Sequence, residues 1–317
     1  MTMAVTLGSG ALTYEPVEGW AKLPEGWSFK ECADVAVDSQ DRVYVFNRGE
    51  HPLMVFDRDG NFLTSWGEGM FTTPHGITLG LDETLYLADQ REHTIRKFTM
   101  EGELLMTLGT PHKPPARWSG SPFNEPTHVA ISPVTGDLYI SDGYGNSRIH
   151  RYSADGRHIK SWGASGIDPG EFVIPHDILV DDKDNIIVAD RENHRIQVFT
   201  ADGELQYMWN NIWKPTGICF GIDGNLYIAE LGGESYYADA PNVGNRVGVY
   251  NLEGKLLARL GMPTQGEGPG QFLAPHGITM DSRGDIYVAE VSWTIVGQRL
   301  DTPREMRSLQ KLAKKGR

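Results

Sequence analysis

Three histidines, His75, His176 and His276, stand in one local frame: Pro-His, then a small or acidic residue, then Ile. They recur as Pro74-His75-Gly76-Ile77, Pro175-His176-Asp177-Ile178 and Pro275-His276-Gly277-Ile278, about 100 residues apart each time. Midway lie Pro126-Thr127-His128-Val129 and Pro215-Thr216-Gly217-Ile218, the same frame with Thr in the histidine slot. One His among the chain's 10 would say little. Three in equivalent positions of alternate repeats say more, because repeats set around an axis would bring the three imidazoles toward that axis from three sides. Three imidazoles with an open fourth position are the donor set of a catalytic zinc; a structural zinc is closed by a fourth ligand. Imidazole also suits iron and copper, so another divalent metal stays open. His128 lies one residue out of the frame, which on a strand turns it to the other face, and it is left out of the set.

A second register follows the strand that ends each repeat's Ala-Asp signature. Arg48 comes after Asn47 in the first repeat and Arg191 after Asp190 in the fourth. In a ring of six these two repeats are opposite, so two guanidiniums could clamp a carboxylate, the anion their fork geometry matches. The plainer alternative is that each Arg pairs with a neighbouring acid, and Arg191 has Asp190 and Glu192 beside it. The third repeat places Asp142-Gly143-Tyr144-Gly145-Asn146 in this register. Glycines on both sides would permit unusual dihedrals and could present the Tyr144 ring, and a phenol beside a metal ion could accept a proton. The plain reading of Tyr144 is a packing residue.

The elements that must position these side chains are strands. Each repeat reads Pro-x-x-Ile, an apolar stretch, an Asp/Gly turn, a strand such as Leu85-Tyr86-Leu87-Ala88-Asp89, an Arg-Ile-x-x-Phe strand such as Arg195-Ile196-Gln197-Val198-Phe199, then a second Gly turn. Short β-rich runs separated by such turns are hairpins, and a period holding about four of them is that of a propeller blade. Six repeats predict an all-β, six-bladed β-propeller forming one domain over 1–317, with blades near 28–67, 74–109, 123–163, 172–209, 215–261 and 272–314. The sixth lacks a clear Arg-Ile-x-x-Phe strand. Its outer strand comes from Arg307 to Lys314 or from the stretch Ala11 to Tyr14, and the pattern leaves both open.

The chain of 317 residues has a formal net charge of -13, which argues against a nucleic-acid surface. No apolar run approaches the length needed to cross a bilayer, and the start, Met1-Thr2-Met3-Ala4-Val5, lacks a signal peptide's basic and long apolar regions. The two cysteines, Cys32 and Cys219, lie in apolar strand contexts and read as core residues. Together these predict a cytoplasmic protein that binds neither nucleic acid nor membrane. The insertion Leu231 to Asn245, with Tyr236, Tyr237 and Pro241, lengthens the fifth repeat and reads as a lid over the channel mouth, the plainer alternative being a surface excursion on the outer edge.

Phe123-Asn124-Glu125-Pro126-Thr127 through Ser141-Asp142-Gly143-Tyr144-Gly145-Asn146-Ser147-Arg148-Ile149 resembles the peptidyl-α-hydroxyglycine α-amidating lyase family, as do Phe172-Val173-Ile174-Pro175-His176 and Val188-Ala189-Asp190-Arg191-Glu192-Asn193-His194-Arg195-Ile196-Gln197. The resemblance implies a six-bladed propeller of NHL-type repeats, with zinc on His75, His176 and His276, an essential Tyr144, and Arg48 and Arg191 on a substrate carboxylate. It also implies cleavage of the C–N bond of an N-acyl or peptidyl α-hydroxyglycine to an amide and glyoxylate. The chain departs from the family in three places. Cysteine pairs of secreted members are replaced by Asn124 with Gly145 and by Ile187 with Val198, which fits a reducing compartment. The family's calcium-binding aspartate would follow the last histidine, where this chain has Gly277, while Asp34 and Asp177 hold that place in other repeats, so a structural calcium is left open. Ala274 replaces a methionine beside the zinc site. The substrate is a carboxylate-bearing peptide or small molecule. Two alternatives stand beside the lyase: a metal-dependent hydrolase or lactonase on the same scaffold, and a non-catalytic binding module.

Overall fold

The computed structural model describes residues 5–232, 240 and 243–316. Its strands form six antiparallel sheets, five of four strands and one of five, and the fold class is the six-bladed β-propeller that the repeat predicts. By compactness the chain divides into two units, residues 66–215 and residues 1–65 with 216–317, each holding three of the sheets.

Burial within a sheet explains its composition. In the fourth, the inner strand Pro175–Val180 and the next two, Ile186–Asp190 and Arg195–Phe199, are buried almost throughout, whereas the outer Leu205–Trp209 is largely exposed. Strands covered on both faces need continuous apolar runs rather than alternation, hence Ile-Ile-Val-Ala and its relatives in every repeat. Three outer strands end in a tryptophan, Trp66, Trp162 and Trp209. In the unit 66–215, Trp66 and Trp162 lie against the turns at Gly102 and Gly203, where an added Cβ would come within 2.8 Å and 2.6 Å of the indole. Both glycines also have positive φ, so the turn and the close approach make the same demand.

The acid closing each Ala-Asp strand anchors the loop that leads into the Pro-His frame. Asp89 accepts from the backbone N–H groups of Thr72 and Thr73, just before Pro74-His75. Asp142 accepts from Asn124, Asp190 from Val173, and Glu290 from Leu273 and Ala274. Each of these carboxylates is fully buried and meets a basic side chain: Arg96 at 3.6 Å from Asp89, His150 at 3.1 Å from Asp142 and Arg195 at 2.7 Å from Asp190, all on the third strand, and Arg307, just before that strand, at 3.4 Å from Glu290. Burial nevertheless pushes the Asp190 and Glu290 carboxyls above their ordinary range, against the pull of the arginines and the donated N–H groups. The first sheet has the neutral Asn47 at this place, and its side-chain amide donates to the His51 carbonyl at 3.3 Å.

In the sixth sheet both candidate segments are used. Leu309–Lys314 is the third strand, paired with Ile286–Glu290, and Leu12–Val17 adds outside it with Tyr14 opposite Lys314. Leu7–Ser9 is a fifth, outermost strand. The two free cysteines agree with the core reading in part: Cys32 is buried and Cys219 half-buried. No helix among the described residues is long and apolar enough to cross a membrane.

Asp190→Ala should leave Arg195 buried without its carboxylate and release the Val173 N–H. We expect a loss of about 3–5 kcal/mol in equilibrium urea unfolding, and a loss below about 1 kcal/mol would show that the acid is not the anchor of this loop.

Candidate active site

In the unit 66–215, four residues singled out by sequence meet. The Tyr144 hydroxyl lies 3.3 Å from His75 Nε2 and 3.1 Å from His176 Nε2, and accepts a hydrogen bond from Arg191 Nη1 at 3.1 Å. The two imidazole rings are 4.8 Å apart, and the Arg191 guanidinium sits over the Tyr144 ring at 5.2 Å. Both histidines are buried, whereas Tyr144 and Arg191 are partly exposed.

The elements that aim these groups follow from the sequence. His75 and His176 lie at the start of the inner strands Pro74–Leu79 and Pro175–Val180. His75 Nδ1 is 2.8 Å from the Thr127 carbonyl. A carbonyl only accepts, so this contact puts the proton on Nδ1 and leaves a lone pair on Nε2. Thr127, in the same slot of the next repeat, continues the arrangement by donating to the Pro175 carbonyl at 3.0 Å. Tyr144 is on a single helical turn, Gly143–Asn146. Here the glycines act differently from the sequence expectation. Neither has positive φ; they are small because a Cβ at Gly143 would lie 2.3 Å from the Pro175 carbonyl oxygen, and one at Gly145 would lie 2.1 Å from Asn124 Oδ1. Space, not dihedral freedom, is what the flanking glycines supply.

Arg191 also bonds through Nε to Glu192 Oε1 at 2.8 Å, and Glu192 Oε2 lies 3.1 Å from Lys214 Nζ. Burial alone would lower the Arg191 pKa, yet Tyr144 and Glu192 hold it raised. Burial would likewise raise the Glu192 carboxyl, and the Arg191 and Lys214 charges keep it below its ordinary value. The salt-bridge alternative for Arg191 is therefore true together with the tyrosine contact. His128 is turned away as expected, with Nδ1 3.0 Å from Asp177 Oδ1.

In the other unit, His276 is buried at the start of Pro275–Met280, with Nδ1 2.7 Å from the Ala33 carbonyl, the same tautomer-fixing contact as at His75. Arg48 pairs with Glu31 at 2.8 Å, and both Glu31 oxygens also accept from Thr294. Arg48 lines a cavity of about 690 Å³ with Trp27, Lys30, Glu50 and His51. An added Cβ at Gly277 would lie 2.1 Å from Asp34 Oδ1, so Asp34 fills the space a side chain at 277 would take. The positions of the family's cysteine pairs are neighbours here: Ile187 is opposite Val198, and Gly145 donates to the Asn124 carbonyl. The insertion read as a lid falls mostly on 233–239 and 241–242, outside the described residues.

Sequence reasoning missed Glu31 and Lys214. A signal was present: Lys214 precedes Pro215, and Glu31 holds the equivalent place before Cys32-Ala33, so both stand two residues before the slot, as Ala274 does.

A propeller whose inner strands carry alternating His and Thr, with a tyrosine and an arginine over two of the histidines, defines a class, and comparison with known proteins narrows it. The NHL repeat family model matches residues 172–199. NHL repeat-containing protein 3 of Homo sapiens is 33% identical over 309 residues, covering 92% of this chain and 85% of that protein. Peptidyl-alpha-hydroxyglycine alpha-amidating lyase 1 of Drosophila melanogaster is 32% identical over 253 residues, covering 74% of this chain and 45% of the lyase, so the chain spans less than half of that relative. Among solved structures, that of a Streptogramin B lyase aligns with a TM-score of 0.61 at 15% identity, covering 94% of this chain and 96% of that one, a likeness of fold. The chain belongs to the NHL-repeat propeller family that includes NHL repeat-containing protein 3 and the amidating lyases.

Thr127→Val should strand the Pro175 carbonyl beside His176. We expect a loss of about 1–3 kcal/mol in chemical denaturation; an unchanged midpoint would mean that this hydroxyl does not join the two inner strands.

Proposed function

We propose that this protein is a metal-dependent lyase that cleaves the C–N bond of an N-acyl or peptidyl α-hydroxyglycine, giving an amide and glyoxylate. The observation that carries the reading is the Tyr144 hydroxyl shared by His75 Nε2, His176 Nε2 and Arg191. One hydroxyl has one proton to donate and two imidazole nitrogens facing it. With the His75 proton on Nδ1, its Nε2 lone pair suits a cation, and the donor set fits a divalent metal. His276, with the same Nδ1 contact, is the third ligand in this reading, and zinc is the first choice with iron or another divalent ion open. When bound, the metal supplies Lewis-acid polarisation of the substrate hydroxyl.

The chain's own groups do the rest. Arg191 holds the substrate carboxylate beside Tyr144. Tyr144 takes the hydroxyl proton as the carbonyl forms and passes its own to the departing amide nitrogen, so the C–N electron pair leaves with a proton. Arg48, as the second arginine of the resemblance, lines the substrate's path. The reaction needs no further reactant. The names of the amidating-lyase relatives support this reading, and the substrate is a carboxylate-bearing small molecule or peptide.

Glyoxylate release from an N-acyl-α-hydroxyglycine tests it, with metal content measured on the same samples. Tyr144→Phe should keep metal and fold while turnover falls on the order of 10²–10⁴-fold. His176→Ala should lose metal and activity together. Full activity in Tyr144→Phe sinks the mechanism; a wild type that releases no glyoxylate but opens lactones makes the protein a hydrolase.

A further inference from the structure

Tyr144 stands on a single turn, Gly143–Asn146, too short to hold itself. The first N–H groups of a helical turn have no partner within it, and here they are satisfied from outside. The Tyr144 N–H donates to the Glu125 carbonyl at 3.3 Å and the Gly145 N–H to the Asn124 carbonyl at 3.0 Å. The turn is therefore placed wherever Asn124 and Glu125 are placed. Side chains fix these two in turn: Asp142 accepts from the Asn124 N–H, and His93 Nδ1 accepts from the Glu125 N–H at 3.0 Å.

The His93 contact demands the tautomer opposite to that of His75. A backbone N–H only donates, so Nδ1 must present a lone pair and the proton of the neutral ring sits on Nε2. Burial holds the His93 pKa below its ordinary value, against the pull of the Glu125 and Asp142 carboxylates, which favours this accepting form. His93 and Glu125 both have left-handed backbone, with φ of 63° and 61°, a conformation that side-chain-bearing residues keep where their surroundings over-determine it. His194 repeats the arrangement: its φ is 54° and its Nδ1 accepts from the Lys214 N–H at 3.2 Å. In both cases the donor is the residue just before a proline, Pro126 or Pro215.

Glu125 lies between two arms of the candidate site. Its carbonyl receives Tyr144, and two residues on, the Thr127 carbonyl receives His75 Nδ1. We propose that His93 is a positioning residue for Tyr144: by holding the Glu125 N–H it sets, through the Glu125 carbonyl, where the phenol stands relative to His75 and His176. This rests on the reading of Tyr144 as the proton-transfer group.

The test uses the full chain and reads glyoxylate release from an N-acyl-α-hydroxyglycine, metal content and amide hydrogen exchange. His93→Ala should lower kcat by about 10-fold or more, toward the ~10²-fold that an ångström of misplacement can cost, with KM and metal content near wild type. His93→Asn should restore most of that loss, because Oδ1 is as many bonds from the backbone as Nδ1, accepts an N–H and suits a left-handed residue. In a Tyr144→Phe background His93→Ala should cost nothing further, since residues that act as one unit are not additive; general loosening of the fold would lower both backgrounds alike. Exchange at the Tyr144 amide should rise in His93→Ala and return in His93→Asn. If His93→Ala does not fold, the nitrogen-15 shifts of the His93 ring decide, assigned by their loss in His93→Asn: an unprotonated Nδ1 is expected, and a protonated one overturns the proposal. Full kcat in His93→Ala, equal loss in both His93 variants, or equal cost in both backgrounds overturns the assignment alone. A wild type that releases no glyoxylate overturns the lyase reading instead, and unchanged Tyr144 exchange in His93→Ala then overturns the positioning role as well.

Discussion

A hydrogen bond from the slot after proline to a carbonyl of the following inner strand is the joint on which each unit depends. In one unit His75 meets the Thr127 carbonyl and Thr127 the Pro175 carbonyl. In the other Thr216 meets the Pro275 carbonyl and His276 the Ala33 carbonyl. Threonine and histidine both satisfy this buried acceptor, which would otherwise cost the energy of an unpaired polar group. Histidine has a second nitrogen left over, on the opposite side of the ring. The joint and the candidate metal ligand are therefore one residue seen from two sides, and alternation of His with Thr costs the scaffold nothing.

The buried acids work one layer further out. They hold the loop before each Pro-His frame through backbone N–H groups, and a basic side chain on or just before the third strand lies against each. Burial at these sites disfavours the charged form even with that cation present, so the acid's worth lies in where it holds the loop rather than in ion-pair energy. Position is what a donor set needs, because a ligand displaced by an ångström is a poor ligand.

Much of this could be read in the chain before folding, for identifiable reasons. The repeat frame, the strand class and the choice of His75, His176, Tyr144 and Arg191 depend on local spacing, which sequence displays directly. What could not be read depends on which partner a side chain selects after folding. Glu192 is adjacent to Arg191 in sequence, and its pairing was foreseeable; Lys214 reaches the same carboxylate from 22 residues away, through the connection between two blades. The glycines around Tyr144 show the same limit. Their type was informative, but the cause is a carbonyl from another strand and an asparagine side chain, neither visible in the motif. The sixth sheet was ambiguous because its outer strands come from opposite ends of the sequence, and no local pattern could rank them.

That last sheet has a consequence for how the chain acquires its shape on the ribosome. The other five sheets use strands close in sequence, so each can form soon after its own residues emerge. Leu309–Lys314 pairs on one side with Ile286–Glu290 and on the other with Leu12–Val17, enclosing residues 18–308 in a single loop. Loop-closure entropy grows only logarithmically with length, so the thermodynamic penalty is modest, but the timing is strict. Leu12–Val17 can pair at once with Leu7–Ser9, but its other edge waits for Leu309–Lys314, and until then that edge is open to strands of other nascent chains.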